Sequence, residues 1–237
     1  MADARTENRR RAYLKALEID VYEARGKHAD NTAPEIEVGV SEPDDQSSPD
    51  WATLQANVKA CTQCILHKTR TQTVFGVGSH SADWMIVGEA PGAEEDRRGE
   101  PFVGRAGKLL DEMLRAIGLS REHAYIANIL KCRPPNNRDP ANDEAESCRR
   151  FLERQIELVA PKIIVAVGRI AAQRLLQTDA PLGRLRQQKH YLSDRQIPVV
   201  VTYHPAYLLR SPTQKRKAWQ DLCFATEMMN EGNRPRQ

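Results

Sequence analysis

The chain has 237 residues with a formal net charge of +3, and 40% of its residues are hydrophobic. That length suits one domain with an appendage, or two small domains. The longest apolar stretches, IIVAV and PVVV, are far shorter than the roughly 20 residues that a membrane helix needs. The first residues also lack an apolar segment of the signal-peptide type. We therefore expect a protein of the cytoplasm, with no membrane attachment.

The first fifty residues differ in composition from the rest. Residues 1 to about 28 are basic and predict a short helix, and the following HADNTAPEIEVGVSEPDDQSSPD is rich in Pro, Ser and Asp, as flexible linkers are. We therefore predict a basic helical segment with a linker over residues 1–50 and a compact domain over residues 51–230. The small net charge also hides the basic clusters NRRRAYLK, CRRFLER, RLRQQKH and TQKRK. Such clusters fit a polyanion such as nucleic acid, and exposed helix faces carry them too.

Four short apolar runs lie in the predicted domain, at about 84–90, 124–130, 162–167 and 198–203, with helical patterns between them. This alternation predicts an α/β fold, with a parallel sheet and helices on both of its faces. Polar or glycine-containing segments follow all four runs: GEAPG, NILKCRPP, GR and HPAYLLR. Because parallel sheets bind ligands beyond the carboxyl ends of their strands, we expect these segments to form one site.

Two of the intervening helices have clear boundaries in the sequence. AGKLLDEMLRAIGL has an apolar stripe at helical spacing and ends at Gly118, a natural C-cap. Another helix is expected to begin at Ser211 and Pro212, an N-cap residue followed by proline. Cys223 falls on the same face of that last helix as Trp219, which predicts a buried, apolar cysteine.

The other four cysteines suggest a metal site. Cys61 and Cys64 form CTQC, a spacing that lets two thiolates reach one metal, and disulfides explain cysteines poorly in a cytosolic chain. Cys132 at the end of the second strand and Cys148 near the next helix could complete a four-thiolate site. Four unrelated buried thiols are the alternative. Zinc and an iron-sulfur cluster use the same ligands, so the spacing leaves the metal open.

Several motifs in series carry a resemblance to a known family. CTQCILHKTRTQTVFGVG, GEAPGAEEDRRGEPFVGRAGKLLDEML, YIANILKCRPPNNRDP and HPAYLLR, in this order, resemble the family 4 uracil-DNA glycosylases, the iron-sulfur branch of their superfamily. The resemblance covers roughly residues 51–226. It implies a three-layer α/β/α fold and the removal of uracil from DNA. With the four apolar runs as its strands, we expect a central four-stranded parallel sheet, and we expect the protein to be a monomer. The resemblance also implies a [4Fe-4S] cluster on Cys61, Cys64, Cys132 and Cys148.

Uracil excision requires the enzyme to flip the nucleotide out, grip the base and stabilise a departing uracil anion. Asn128 can accept a hydrogen bond from uracil N3–H and donate one to O4; a strand-end asparagine that bonds the backbone is the alternative. The family implies that Phe102 stacks on the base, where a core phenylalanine is the plainer interpretation. His204 can donate to uracil O2, where negative charge develops, although lone strand-end histidines are usually structural.

The glycine-rich segment after the first strand is expected to bind a carbonyl oxygen of the base. Gly88 allows close backbone approach, so backbone NH groups around it and Ala90 could meet that oxygen. Glu89 is our candidate for positioning or activating the attacking water. The better-known family 1 pattern has aspartate and tyrosine where this chain has Ala90 and Gly92, so water activation and thymine exclusion stay open. Glu95 and Asp96 are interpreted as solvated loop carboxylates.

HPAYLLR is also the candidate DNA-contacting segment. Leu208 and Leu209 could press an apolar wedge into the duplex while Arg210 holds a phosphate; the leucines could equally be core residues. Two other interpretations fit the same sequence. One is a non-catalytic iron-sulfur protein that binds nucleic acid, and the other is a relative that traps uracil-DNA covalently. The latter uses a histidine in an inserted loop that KCRPPNNRDPAND lacks.

Overall fold

The structure is a computed structural model that describes residues 49–192 and 196–232. The predicted basic helix and almost all of the predicted linker, residues 1–48, lie outside the described residues. Within the described ranges, no helix has both the length and the apolar character needed to cross a bilayer.

Six strands among the described residues form a single sheet with the order β1-β3-β2-β4-β6-β5. The four inner strands are parallel, and the two edge strands pair antiparallel with their neighbours. The strands are β1 (Val77–Gly78), β2 (Trp84–Gly88), β3 (Ala124–Asn128), β4 (Ile163–Val167), β5 (His190–Leu192) and β6 (Ile197–Thr202).

The predicted α/β fold is confirmed, with a difference in strand number. The four predicted apolar runs are the four inner strands, and three of them are buried along their whole length. The two edge strands were not predicted because they have only two and three residues, too few to form a recognisable apolar run.

Eight α-helices among the described residues cover this sheet. They are α1 (Pro49–Lys59), α2 (Ala93–Arg98), α3 (Arg105–Ala116), α4 (Asn142–Val159), α5 (Arg169–Leu176), α6 (Leu182–Leu185), α7 (Pro205–Arg210) and α8 (Lys215–Gly232). Helix α3 buries its predicted stripe, and Gly118 follows it in the left-handed region at φ 77°.

The core has two layers, one on each face of the sheet. Successive side chains of a strand point to opposite faces and therefore join different layers. On β2, Met85 and Val87 join the cluster formed with α1, α4 and α5, whereas Trp84 and Ile86 join the cluster formed with α3 and α8. The predicted three-layer α/β/α arrangement follows from this division.

The last helix corrects one prediction. A short turn at Pro212–Gln214 precedes α8, close to the predicted start. Cys223, however, is only half-buried, and Trp219 is 46% exposed. The face of α8 that meets the core carries Ala218, Leu222, Ala225 and Met228 instead.

Candidate active site

A cavity of about 420 Å³ opens at the carboxyl ends of the inner strands. Segments that follow β2, β3 and β6 line it, as the sequence predicts. The fourth segment contributes indirectly, because Gly168 after β4 allows the backbone to pass close to His204. The lining side chains relevant here belong to Glu89, Ala90, Phe102, Asn128, Asp139 and His204.

Backbone hydrogen bonds between the segments of β2 and β3 continue past the ends of the two strands and hold the base of this cavity in place. Ile129 N–H donates to Gly88 O at 2.9 Å, and Leu130 N–H donates to Glu89 O at 3.0 Å. A Cβ atom at position 88 would overlap both Asn128 Oδ1 and the Phe102 ring. Glycine at this position is therefore what allows the amide and the ring to lie together.

Asn128 carries the most informative atom of the site. The residue is 2% exposed, and its side-chain oxygen is buried without a hydrogen-bond partner among the described residues. A buried polar atom left unpaired costs about 1–3 kcal/mol, and unpaired groups of this kind call for an explanation. An acceptor at a cavity wall can be satisfied by a ligand N–H.

His204 is the N-cap of α7, and this role determines its tautomer. Ala206 N–H donates to His204 Nδ1 at 3.1 Å, so the neutral ring carries its proton on Nε2. Burial lowers the pKa of His204 to about 4, and the positive charge of Arg210 acts in the same direction. The ring is therefore a neutral hydrogen-bond donor at neutral pH.

The pKa of Glu89 is shifted in the opposite direction from that of His204. Burial raises the pKa of its carboxyl to about 7, and the negative charge of Asp139 adds to this, whereas Arg169 opposes it. The carboxyl thus changes between its proton-donating and proton-accepting forms near neutral pH. Such a group is suited to general acid-base chemistry.

Glu95 and Asp96 correct the prediction that they are solvated. Glu95 Oε1 accepts from the backbone NH groups of Val103 and Gly104 at 3.0 and 3.1 Å. Asp96 is buried and accepts from Thr71 N–H at 2.9 Å. Both carboxylates satisfy backbone donors of neighbouring loops, a role that a run of charged residues in the sequence does not reveal.

The predicted DNA-contacting segment divides into a buried and an exposed part. Leu208 is 1% exposed and packs against α3 and α8, so it is not at the surface where a wedge would have to be. Leu209 and Tyr207 are exposed, and Arg210 lines the cavity. Since neighbouring helical residues point about 100° apart, two adjacent leucines in α7 cannot share one role.

The four predicted metal ligands meet in space. A small second cavity is lined by Cys61, Cys64, Cys132 and Cys148, and Cys223 is not among its lining residues. Arg70 Nη1 donates to Cys132 Sγ at 3.1 Å, and Lys131 N–H donates to Cys148 Sγ at 3.3 Å. Within the described part of the chain, no three His, Cys, Asp or Glu side chains form a ready site for one metal ion.

Burial favours the neutral form of three thiols in this second cavity. Burial raises the pKa of Cys64 and of Cys132, and it raises that of Cys148 to about 11. A bound cation favours thiolates and opposes this effect. The four sulfur atoms form no disulfide, and two of them accept hydrogen bonds. Both features fit a thiolate-bound metal group.

A buried lysine links the two cavities, and sequence reasoning missed it. Lys131 is 1% exposed, and its Nζ donates to Asn128 O at 2.8 Å and to Gln155 Oε1 at 2.6 Å. Gln155 Nε2 in turn donates to Phe75 O and to Tyr125 Oη, both at 2.9 Å. The only available signal was a lone charge inside the apolar stretch NILKC.

Comparison with known proteins agrees with the fold. A family model described as the uracil DNA glycosylase superfamily matches residues 75–223, which include the residues that line the strand-end cavity, and Cys132 and Cys148 of the second cavity. The chain belongs to the uracil-DNA glycosylase superfamily.

Three curated relatives refine this assignment to the type-4 enzymes. The chain is 46% identical to a type-4 uracil-DNA glycosylase of Archaeoglobus fulgidus over 170 residues, 69% of this chain and 85% of the relative. It is 46% identical to that of Thermotoga maritima over 160 residues, 67% of this chain and 82% of the relative. It is 41% identical to that of Pyrobaculum aerophilum over 184 residues, 74% of this chain and 92% of the relative.

Proposed function

We propose that this chain hydrolyses the bond between uracil and deoxyribose in DNA and leaves an abasic site. The observation that carries the proposal is the unpartnered Asn128 Oδ1 in the wall of the strand-end cavity. Its relatives of the type-4 family are named for the same activity.

Base recognition rests on Asn128 and Phe102. Uracil presents N3–H to the unpartnered Oδ1 and O4 to the amide NH₂, whereas cytosine presents an acceptor and a donor in the reverse order. The ring of Phe102 lies beside that of His204, with centroids 5.7 Å apart, and offers a face on which the base stacks. Ala90 lines the adjacent wall, and the backbone NH groups around Gly88 and Ala90 are the candidate partners of a base carbonyl.

Leaving-group stabilisation rests on His204. Because its Nδ1 is occupied by Ala206 N–H, its Nε2–H is free to donate to uracil O2. A donor fixed before the reaction begins stabilises charge as it develops on the departing base. A neutral ring makes this contact without first losing or gaining a proton.

Water activation is assigned to Glu89. In its carboxylate form, Glu89 can accept a proton from a water molecule that attacks the sugar carbon. Ionised Glu89 and Asp139 are both negative, and negative charge near a sugar with cationic character favours the transition state.

DNA contact is assigned to the exposed side of α7. Leu209 replaces the predicted pair of leucines as the apolar wedge, because Leu208 is buried and Leu209 is exposed. Arg210 is suited to bind a phosphate near the flipped nucleotide.

The four cysteines are proposed to bind a [4Fe-4S] cluster. Four thiols around one cavity, without a compact set for a single ion, suit a group that spans all four sulfurs. When bound, the cluster would cross-link the segment of Cys61 and Cys64 to the end of β3 and to α4. Because hydrolysis transfers no electron, the cluster would have a structural role. Arg70 and the backbone NH group of Lys131 would stabilise its thiolates. Free thiols of this kind also support a reducing compartment such as the cytoplasm.

The test is incubation with an oligonucleotide that contains one uracil, followed by alkali, which cleaves the strand at an abasic site. We expect cleavage at the uracil and none in matched strands with cytosine or thymine. Binding without cleavage, in single and double strands alike, would instead support a non-catalytic nucleic-acid-binding protein. A stable protein-DNA adduct would support a covalent trapping relative.

A further inference from the structure

Phe102 has a backbone conformation that its side chain does not favour. Its φ is 54°, in the left-handed region, which residues other than Gly, Asn and Asp rarely adopt. Such conformations persist only when the surrounding structure holds them, and they concentrate at functional sites. Something must therefore hold this turn.

Two charged side chains hold the turn from opposite sides. Arg121 Nη2 donates to Pro101 O at 2.6 Å, and Arg121 Nη1 donates to Phe102 O at 3.1 Å. On the other side, Glu95 accepts from the next two backbone NH groups. Four consecutive residues of the turn are thus fixed through their main chain.

Arg121 is itself oriented by a third contact. Its Nη1 also donates to Asp111 Oδ1 at 3.0 Å on α3, the helix that follows the turn. Gly107 in the same helix lets the backbone come so close that a Cβ there would overlap the Phe102 carbonyl. The guanidinium therefore joins the turn, α3 and the segment that leads into β3. A planar group with several donors in fixed directions is suited to this task.

We propose that Arg121 is a positioning residue for uracil excision, which holds Phe102 in its left-handed conformation so that the ring lies where the base must stack. The inference rests on the proposed function of the cavity. Arg121 touches no reacting atom in this scheme and acts through Phe102. A glycine at position 102 would adopt the same conformation without strain and would have no ring to place.

A double-mutant cycle tests this proposal. Arg121→Gln is expected to lower kcat/KM for a uracil oligonucleotide about 10- to 100-fold, because small misplacements of a site group have effects of that size. In a Phe102→Gly background, whose own activity is lower, the same substitution should change kcat/KM by less than about threefold. Arg121→Lys keeps the charge but not the fork of donors, so its loss should be intermediate.

The matched control is Arg115→Gln, which removes an exposed arginine paired with Glu112 on α3 and should leave activity close to parental. Melting temperatures confirm that every variant is folded at the assay temperature. If Arg121→Gln does not fold, Arg121→Lys and Asp111→Asn are taken through the same cycle.

Equal losses in the parental and Phe102→Gly backgrounds would mean that Arg121 serves general stability, and would overturn the inference alone. Parental activity in folded Arg121→Gln would do the same. A parental protein that excises no uracil would overturn the proposed function and this inference with it.

Discussion

The strand-end cavity and the cysteine cavity lie at the end of the same strand, β3, and differ in how their polar groups are satisfied. Asn128, the last residue of β3, has a side-chain oxygen with no hydrogen-bond partner in the described part of the chain. Three residues later, the ammonium of Lys131 has two acceptors, and the sulfur atoms of Cys132 and Cys148 each accept a hydrogen bond.

This difference separates a site that binds a substrate from one that holds a structure together. The strand-end cavity also contains Glu89, whose pKa is raised to about 7, and the strained backbone of Phe102. These features cost stability and are retained where function requires them. Substitutions in the first cavity should therefore reduce activity with little effect on stability, and those in the second should do the reverse.

The largest effect is expected for Asn128→Asp. The substitution replaces the amide donor by a second acceptor that repels uracil O4, so we expect single-turnover excision to fall about 1,000-fold or more. The melting temperature should change little. Asn230→Asp, an exposed residue of α8, is the matched control. Excision at the parental rate by the folded variant would remove Asn128 from base recognition.

His204→Asn should have the next largest effect. Asparagine can still cap α7 but lacks the Nε2–H donor, so excision should fall about 100- to 1,000-fold. His123→Asn, which alters an exposed histidine that bonds Ser120, should be neutral. Because the pKa of His204 is lowered to about 4, its contribution to stability is present above about pH 6.5 and is lost as pH falls toward 4. Because Glu89 acts in the opposite direction over part of this range, the contribution of His204 is measured as the difference in stability between the parental protein and His204→Asn. A difference that rose on acidification would contradict a neutral His204.

Glu89→Gln should reduce excision about 100-fold and remove its pH dependence. With the pKa of Glu89 raised to about 7, parental activity should rise between pH 5 and 9 with a midpoint near 7, as the carboxylate forms. The contribution of Glu89 to stability has the opposite pH dependence. It is present below pH 4.5, the ordinary pKa of the group, and is lost as pH rises through about 7. Exposed Glu122→Gln should keep the parental profile, and an unchanged profile in Glu89→Gln would exclude Glu89 as the base.

The cysteine cavity should give the smallest effect on the chemical step. Cys61→Ser should lose iron and sulfide and lower the melting temperature by several degrees, while excision by the fraction still folded changes only a few-fold. Cys223→Ser, outside the cavity, should keep its metal. Iron loss in Cys223→Ser, or zinc without iron in parental protein purified without oxygen, would contradict the cluster assignment.

The sequence predicts the fold well where local pattern and burial agree. The four inner strands are apolar runs bounded by turn residues, and α3 ends at Ala116, two residues before the predicted end at Gly118. The edge strands depend on pairing with a neighbour rather than on their own composition, so β1 and β5 could not be predicted. The exposure of Trp219 could not be predicted either, because it depends on how α8 is rotated against the sheet.

The sequence indicates candidate residues for the site, but it does not indicate the charged side chains that hold those residues in place. Asn128 and His204 stand at strand ends in recognisable motifs. The roles of Glu95, Arg121 and Lys131 arise from hydrogen bonds to residues that are distant in sequence or to backbone atoms. Residue type alone cannot distinguish a charge with such hydrogen bonds from a solvated one.

The most direct test of the central claim compares two substrates with the unaltered protein. One oligonucleotide carries uracil and the other carries N3-methyluracil at the same position, which has no N3–H to donate to Asn128 Oδ1. We expect excision of uracil and a loss of roughly 100-fold or more for the methylated base, because the buried acceptor stays unpaired and meets a methyl group. Equal rates of excision for the two bases would contradict it.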